Sequence, residues 1–258
     1  MSSLRAKCPD CAAYTAVAIG PSYECHSCGR EFSAGLVRVP RAWGAGGEAM
    51  AQAAFLSLPY PEAAVVEESS LAEQTFAVAT ELPERPLILG GCCCAHVGAV
   101  EALAARHGPI SVVWLDAHGD LNTRETSPSG NTWGMPLRML IDSGAVAADD
   151  VALVGARNLD PPEREFIAAT RLHSGVGAVA QATEGTMGTY VAFDADCVEP
   201  GELEVFMPEP DGLRLRDVER IFGEVRRRSL VLGAGVTALV PAEGNVEPVT
   251  KLVAALGL

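Results

Sequence analysis

Residues 112–122 read VVWLDAHGDLN, in which four apolar residues are followed by charged side chains at every second position. A second segment, residues 190–196, reads YVAFDAD and has the same form. Continuous apolar runs of this length are typical of strands that are buried on both faces of a parallel sheet. The two segments therefore predict two core strands with acidic side chains at their carboxyl ends.

Around these two segments, short apolar strands alternate with amphipathic helices from residue 64 to the end of the chain. We predict strands at 64–66, 86–89, 110–115, 151–155, 188–193 and 230–239, and helices at 71–82, 95–106, 136–143, 162–169, 215–228 and 249–256. This alternation is typical of a parallel sheet covered by helices on both faces. We therefore predict an α/β domain over residues 64–258, with three α/β/α layers and a mainly parallel sheet.

The charged residues after the two core strands are spaced so that their side chains can meet. Alternate residues of an extended chain point the same way, so Asp116, His118 and Asp120 can converge. Asp194 and Asp196 can do the same at a neighbouring strand end. Four carboxylates so close together would repel one another unless cations lay between them. Mixed oxygen and nitrogen ligands suit a pair of Mn²⁺, Fe or Zn²⁺ ions, which activate water for hydrolysis.

The amino-terminal region contains a different metal-binding pattern. Two CxxC pairs, Cys8 with Cys11 and Cys25 with Cys28, are separated by a spacer of residues 12–24. Four thiolates at this spacing are typical of a closed, tetrahedral zinc site with a structural role. We predict a zinc-ribbon module over residues 1–41, stabilised by its metal, and a linker with a short helix over residues 42–63.

Composition narrows the classes of partner. The net charge of −14 disfavours binding to nucleic acid or to an anionic membrane surface, and favours a small cationic substrate. The longest stretch without an acidic, lysine or arginine residue, residues 86–100, is too short to span a bilayer. The first residues do not form a basic-then-apolar signal peptide, so we expect a cytoplasmic protein without a membrane segment.

The DAHGDLN and FDAD segments together resemble the ureohydrolase family, which includes arginase and agmatinase. The resemblance implies a binuclear manganese centre that hydrolyses the C–N bond of a guanidinium group, and a chain that can form homo-oligomers. It also implies that Asp120 orients the attacking hydroxide. The metal ligands carried over from the family motifs are Asp116, His118, Asp120, Asp194 and Asp196.

Two further segments bear on the substrate that the resemblance implies. Ser129-Gly130-Asn131 matches the SGN tripeptide with which arginases bind the substrate α-carboxylate, and Asn122 lies in the same loop. Residues 157–161, RNLDP, match the arginase segment whose second acid meets the α-ammonium group, which corresponds to Asp160, with Glu163 nearby. These matches favour arginine over agmatine, which lacks the carboxylate.

Three positions depart from the family pattern. The family's other metal-binding His is replaced by Cys93, whose softer thiolate favours Zn²⁺ or Fe²⁺, and His96 is an alternative ligand. The proton-shuttling His is replaced by Trp133, which cannot exchange protons but can stack on a guanidinium or wall the pocket. The Glu that pairs with the guanidinium corresponds in register to Val240, and Glu243 reaches the site only if its loop folds back.

These departures keep other functions open. One alternative is a hydrolase of agmatine or of another guanidino or amidino compound. Another is a non-catalytic, arginine-binding regulatory protein whose ribbon docks a partner; Trp133 and Val240 favour it, and the intact set of carboxylates disfavours it. Binding of nucleic acid through the ribbon is disfavoured by the acidic charge of the rest of the chain.

Overall fold

The computed structural model describes residues 4–258, and the strands of this region form two sheets. In chain order the strands are β1 (Arg5–Ala6), β2 (Ala16–Ile19), β3 (Ser22–Cys25), β4 (Glu31–Phe32), β5 (Gly35–Val39), β6 (Glu62–Val65), β7 (Pro86–Gly90), β8 (Ser111–Leu115), β9 (Val151–Val154), β10 (His173–Ser174), β11 (Thr189–Asp194) and β12 (Val231–Thr237). The smaller sheet is antiparallel in the order β1-β2-β3-β4. The larger sheet is parallel throughout, in the order β10-β9-β8-β11-β12-β7-β5-β6.

The α-helices of the described region connect the strands of the larger sheet. They are α1 (Glu48–Ala53), α2 (Leu71–Glu81), α3 (Val97–His107), α4 (Pro136–Asp142), α5 (Pro161–Ala169), α6 (Ala178–Ala182), α7 (Leu215–Arg228) and α8 (Val246–Ala255). A 3₁₀ turn, Cys93–His96, leads from the end of β7 into α3. No helix in residues 4–258 has the length and apolar character needed to cross a membrane.

The six central strands of the larger sheet, from β9 to β5, are buried at every position. In β8, Val113 and Leu115 pack in the cluster that also contains residues of α1, α6, α7 and α8. The alternate residues Val112 and Trp114 pack on the opposite face, with residues of α2, α3 and α4. Successive side chains of a strand point to opposite faces, so one continuous apolar run supplies both cores. The predicted three-layer α/β/α architecture is therefore confirmed.

The boundary predicted between the ribbon and the large domain differs from the observed one. Residues 35–39, which we assigned to the amino-terminal module, form β5, which lies between β6 and β7 in the larger sheet. Strand β6 likewise begins at Glu62, inside the predicted linker. The prediction relied on the cysteine spacing, which fixes where the ribbon binds metal but not where the chain leaves it. The sequence GLVRV of β5 is buried at every position, as a core strand requires.

The two sheets are joined directly. The backbone amides of Lys7 and Glu62 donate to each other's carbonyl oxygens at 2.8 and 2.9 Å, which pairs the chain after β1 with β6. The carboxylate of Glu62 also accepts a 2.6 Å hydrogen bond from Nε of the buried Arg38 in β5. The ribbon is therefore attached to the edge of the larger sheet. Strand β10 and helix α6, which our sequence analysis did not predict, lie at the opposite edge and are too short for a clear periodic pattern.

Two glycines in helices test how tightly the outer layer packs. A Cβ atom at Gly98 of α3 would lie 2.3 Å from the carbonyl oxygen of Thr75 in α2, whereas one at Gly223 of α7 would meet only the guanidinium of Arg227 at 3.4 Å. Gly98→Ala should lower the free energy of unfolding by about 1–3 kcal/mol because backbone must move. Gly223→Ala should raise it by up to about 1 kcal/mol through helix propensity. Urea denaturation measures the free energy of unfolding of both variants. Equal changes in the two variants would contradict the close packing of α2 on α3.

Candidate functional site

The candidate site lies at the carboxyl ends of four adjacent strands in the centre of the larger sheet. These strands are β7, β12, β11 and β8, and each is followed by a polar or thiol side chain at this edge. Ligands of parallel α/β sheets bind at this edge, where loops rather than regular structure follow the strands. A cavity of about 240 Å³ opens there, and residues from all four strand ends line it.

Asp116, His118 and Asp196 form the first group of candidate ligands. Nδ1 of His118 lies 3.3 Å from Oδ1 of Asp116 and 3.1 Å from Oδ2 of Asp196. The backbone fixes both carboxylates, because Asp116 accepts from the amide of His118 at 2.7 Å and Asp196 accepts from the amide of Ala117 at 3.1 Å. The indole of Trp114 donates to the other oxygen of Asp116 at 3.2 Å. The group is therefore held in place by donors outside it.

Cys93, Asp116 and Asp120 form the second group, and Asp194 lies beside it. Sγ of Cys93 lies 2.9 Å from Oδ2 of Asp194 and 3.7 Å from Oδ2 of Asp116. In each of the two groups, one ligand atom per residue lies within 4.8 Å of the others, and Asp116 belongs to both. Thr237, at the end of β12, contacts both Cys93 and Asp194 through its hydroxyl group. The sequence-predicted ligands are thus brought together in one continuous cluster.

Asp120 is the most constrained residue of the cluster. Its φ angle is +53°, in the left-handed region that only Gly, Asn and Asp adopt readily. Its side chain is buried, and Oδ2 has no hydrogen-bond partner among the described residues. A buried carboxylate oxygen without a donor is costly unless a cation binds it. This orphaned atom is the structural feature that argues most directly for a cation at the cluster.

The electrostatics of the cluster agree with that argument. Burial, together with the charges of neighbouring carboxylates, raises the pKa of Asp120 and of Asp194 well above the usual range for Asp. Burial and the charge of Asp194 raise the pKa of the Cys93 thiol in the same way. Burial opposes the charged form of His118, but hydrogen bonds to Asp116 and Asp196 outweigh it and raise the pKa of His118 to about 12. Without cations the site therefore holds protons that bound cations would displace.

The donor set fits two adjacent divalent ions. Oxygen and imidazole nitrogen ligands suit Mn²⁺, Fe²⁺ or Zn²⁺, and a carboxylate such as Asp116, shared between the two groups, can bridge a pair of ions. The thiol of Cys93 adds one softer ligand, which favours Zn²⁺ or Fe²⁺ at its side of the cluster. We predict that these residues hold the ions.

His96, the alternative to Cys93, occupies a different environment. Its Nδ1 lies 2.9 Å from the hydroxyl of Tyr190, and its ring packs edge-on against Trp114 inside the core. A Cβ atom at Gly235 would lie 2.5 Å from this ring, so the imidazole fills space left by a glycine. Burial lowers the pKa of His96 to about 3, which keeps the ring neutral. Its geometry is that of a core histidine, and Cys93 is the residue that reaches the carboxylates.

The residues expected to contact a substrate line the same cavity. They are Asn122, Ser129, Asn131, Trp133 and Asp160. The amide of Asn122 donates to Oδ2 of Asp160 at 2.8 Å, so the two proposed contact loops already touch. Glu163 supports both loops, because its two carboxylate oxygens accept from the backbone amides of Leu121 and Asp160 at 3.0 and 2.9 Å. Its role in this structure is to hold the loops that carry the polar wall.

The opposite wall of the cavity is apolar. It is formed by Met50, Cys92, Trp133, Met207 and Ala238, of which our sequence analysis singled out only Trp133 as a pocket residue. Trp133 packs edge-on against Phe206, with 5.9 Å between ring centres, and closely covers Gly44. The indole therefore forms a fixed part of the wall.

Val240, which we aligned with the family's guanidinium-pairing Glu, lies outside the lining of the cavity. The residue that lines the cavity after Thr237 is Ala238, not Val240. Ala238 has a φ angle of +60°, and this left-handed turn redirects the chain, so that Val240 instead donates its amide to the carbonyl of Glu204. Glu243 begins a short 3₁₀ turn, is exposed to solvent, and does not line the cavity. The apolar run 236–240 contains no signal for this turn.

The four amino-terminal cysteines also converge. Their Sγ atoms all lie within 4.8 Å of one another, at the two turns that connect β1 to β2 and β3 to β4. Asp10 in the first turn accepts two hydrogen bonds from Arg30, which follows the second turn, at 2.8 and 3.0 Å. This geometry suits the closed, four-thiolate zinc site that the spacing predicts.

Asp120→Asn tests whether the cluster is strained without cations. The amide is neutral without taking up a proton, so the metal-free protein no longer bears the cost of protonating a buried carboxylate. Since Asn also tolerates the left-handed backbone, the variant should stabilise the metal-free protein by roughly 1–3 kcal/mol. It should also remove most of the stabilisation that added Mn²⁺ gives to the wild type. Urea denaturation with and without Mn²⁺ measures both effects. Asp211→Asn is the control, because Asp211 is exposed and also has a positive φ of +62°. If Asp120→Asn were no more stable than the wild type in the absence of metal, the strain argument would be contradicted.

The zinc prediction has its own measurement. A double variant, Cys11→Ser with Cys28→Ser, should contain one zinc ion fewer per chain than the wild type because a closed site needs all four thiolates. Elemental analysis of the purified full-length protein checks the content. Cys94→Ala should leave this zinc in place, since Cys94 lies outside the ribbon. Equal zinc in the double variant and the wild type would show that the four cysteines do not bind it.

Comparison with known proteins identifies relatives of the large domain. A model of the Arginase family matches residues 49–256. An arginase from Staphylococcus aureus (strain COL) is 34% identical over 142 residues, which cover 45% of this chain and 47% of the relative, so the match spans about half of the curated relative's length.

Solved structures show the same fold. The crystal structure of arginase from Bacillus cereus aligns with a TM-score of 0.74 and 22% identity, over 86% of this chain and 97% of that one. A putative agmatinase from Clostridium difficile aligns with a TM-score of 0.67 and 18% identity, over 86% of this chain and 92% of that one. The family match covers most of the larger sheet and every residue of the carboxylate cluster, and on this ground the chain belongs to the Arginase family.

Proposed function

We propose that this chain hydrolyses a guanidino C–N bond of arginine or of a close analogue, releasing urea, with the help of two divalent metal ions. The observation that carries this proposal is the pair of ligand groups that share Asp116 at the floor of one cavity, with the orphaned Oδ2 of Asp120 between charged neighbours. A single structural ion needs no such cavity. Membership of the Arginase family supports the same reaction class.

The residues of the cluster have separable roles in this proposal. Bound divalent ions lower the pKa of water and polarise the bond under attack. Asp116, His118, Asp120, Asp194, Asp196 and Cys93 would hold the ions. Asp120 lies at the cavity floor and, through its carboxylate, orients the attacking water and accepts its proton.

Among the described residues that line the cavity, His118 is the one histidine, and it is assigned to the metal centre, so the proton for the departing amine needs another donor. Trp133 occupies the wall where a shuttle was expected, and an indole does not exchange protons at neutral pH. Asp120 can return the proton that it accepted, because its carboxylate lines the cavity in which the amine departs. Solvent entering at the polar wall is the other source. We therefore propose Asp120 as both acceptor and donor.

The polar wall favours a substrate with an amino-acid end. Asp160 supplies a carboxylate for an α-ammonium group, and Ser129 and Asn131 supply neutral donors for an α-carboxylate. The two parts of the wall are already linked through the hydrogen bond from Asn122 to Asp160. A preformed wall of this kind recognises both charges of a free amino acid. Agmatine carries the ammonium group but lacks the carboxylate.

The apolar wall supports a second candidate, a hydrolase of another guanidino or amidino compound. Ala238 provides no charge to pair with a guanidinium cation, and Met50 and Met207 provide none either. A substrate whose reacting group is less strongly cationic would lose less binding free energy at a wall without a negative charge. The identity of the metal ions also has two candidates. Mn²⁺ suits the carboxylates, whereas the thiol of Cys93 shifts the preference toward Zn²⁺ or Fe²⁺.

The test of the proposed function is an assay of the metal-loaded protein against a panel of guanidino compounds. The protein is loaded in turn with Mn²⁺, Zn²⁺ and Fe²⁺, and urea and amine are both measured. We expect urea from arginine. Urea from other guanidino compounds but not from arginine would support the second candidate, and binding of arginine without turnover at full metal content would support a regulatory protein.

Asp160→Ala tests how the substrate is recognised. Loss of one charge-assisted contact should lower kcat/KM for arginine about ten- to a hundredfold, with little effect on the deaminated analogue of arginine, a guanidino acid that has no α-ammonium group. Steady-state kinetics with both substrates measure the difference. Glu165→Gln, at an exposed position on the same helix, is the control. Equal losses on both substrates would show that Asp160 supports its loop and does not bind the amino group.

A further inference from the structure

Arg157 joins three loops that lie beside the candidate metal centre. It follows β9, in the loop that also carries Asp160, and its guanidinium group donates to five backbone carbonyl oxygens. The acceptors are Gly155 (3.0 Å), Cys197 (3.2 Å), Asp196 (3.0 Å), Glu209 (2.8 Å) and Pro210 (2.7 Å). Its planar fork of donors suits such a multiple contact. The segment at residues 209–210 is therefore fastened to the chain that carries Asp196.

This fastening places the side chain of Glu209 next to the candidate centre. Oε1 of Glu209 accepts a hydrogen bond from Nδ2 of Asn158 at 3.0 Å. The same oxygen lies 3.7 Å from Nε2 of His118. Glu209 does not belong to either ligand group, and no motif of the sequence pointed to it.

The orientation of the His118 ring suggests a role for Glu209. Nδ1 of His118 faces the carboxylates of Asp116 and Asp196, so Nδ1 is the atom available to a metal ion. A histidine that binds a metal through Nδ1 carries its proton on Nε2. Metal-binding histidines commonly donate this second N–H to a carboxylate, which fixes the ring and increases its basicity.

We propose that Glu209 is a positioning residue for His118, which fixes the ring and its Nε2–H tautomer so that Nδ1 binds the metal ion of the Asp116–His118–Asp196 group. The proposal rests on the proposed metal centre and adds a residue outside the ligand set. At 3.7 Å the contact is longer than a hydrogen bond, so the proposal requires the two atoms to approach each other when the ion is bound. Arg157 and Asn158 hold Glu209 for this purpose through its backbone and its side chain, respectively.

Titration of the full-length protein with Mn²⁺ alone, without substrate, tests the proposal. Mn²⁺ is a suitable probe because it binds poorly to the thiolates of the ribbon. Glu209→Ala should weaken binding of one of two Mn²⁺ ions by roughly 10- to 100-fold, as expected for loss of a carboxylate behind a metal-binding histidine. Glu209→Gln, which keeps an acceptor oxygen without the charge, should weaken it less. Glu204→Gln, which removes the same charge at an exposed position on the same loop, should leave both affinities unchanged.

A spectroscopic measurement separates positioning from a general effect on folding. In protein labelled with ¹⁵N-histidine and loaded with diamagnetic Zn²⁺, the His118 resonances should show Nδ1 bound to metal and a protonated Nε2. Glu209→Ala should shift the Nε2–H resonance upfield and speed its exchange with solvent, with unchanged circular dichroism and melting temperature. The resonances of His96, which lies in the core, serve as the internal reference.

The outcomes separate this inference from the proposed function. A wild type that binds no pair of Mn²⁺ ions would overturn the metal centre itself. A wild type that binds two ions, with Glu209→Ala binding both as tightly and showing the same His118 resonances, would overturn only the role of Glu209. Weakened binding of one ion together with the altered Nε2–H resonance would support it.

Discussion

Everything at the candidate site depends on the crowding of buried carboxylates at the ends of two adjacent parallel strands. Strand β8 delivers Asp116 and Asp120, and β11 delivers Asp194 and Asp196, to a region where burial alone opposes their negative charge. The chain meets part of this cost with backbone amides and the indole of Trp114. The rest of the cost of burying these carboxylates can be met only by protons or by bound cations.

Much of the fold and of the cluster could be predicted from sequence because the signals are local. Apolar runs that end in alternating acids, as in residues 112–122, specify both a core strand and the direction of its terminal side chains. The same holds for the two cysteine pairs. Each of these signals needs only the next few residues of the chain to be interpreted, and each corresponds to an observed strand end or turn.

The features that could not be predicted depend on contacts between distant segments. Strand β5 reads as a continuation of the ribbon until its partners β6 and β7 are known. The absence of Val240 from the cavity lining follows from the left-handed turn at Ala238, which no local pattern signals. The position of Glu209 depends on Arg157, which lies 52 residues earlier in the chain. The five acceptors of Arg157 are backbone carbonyl oxygens, which every residue type carries, so the sequence does not indicate these contacts. Sequence patterns thus located the ligands better than the residues that hold them.

The pairing of Lys7 with Glu62 has a consequence for the outer edge of the larger sheet. Strand β6 is the last strand on that side, and an uncovered edge strand can template pairing with another chain. The ribbon covers part of this edge with backbone hydrogen bonds in both directions. If four thiolates and an ion hold the ribbon together, then loss of that ion would uncover the strand far from the cavity. Solubility and resistance to aggregation would then depend on the supply of zinc, independently of the ions that the cavity binds.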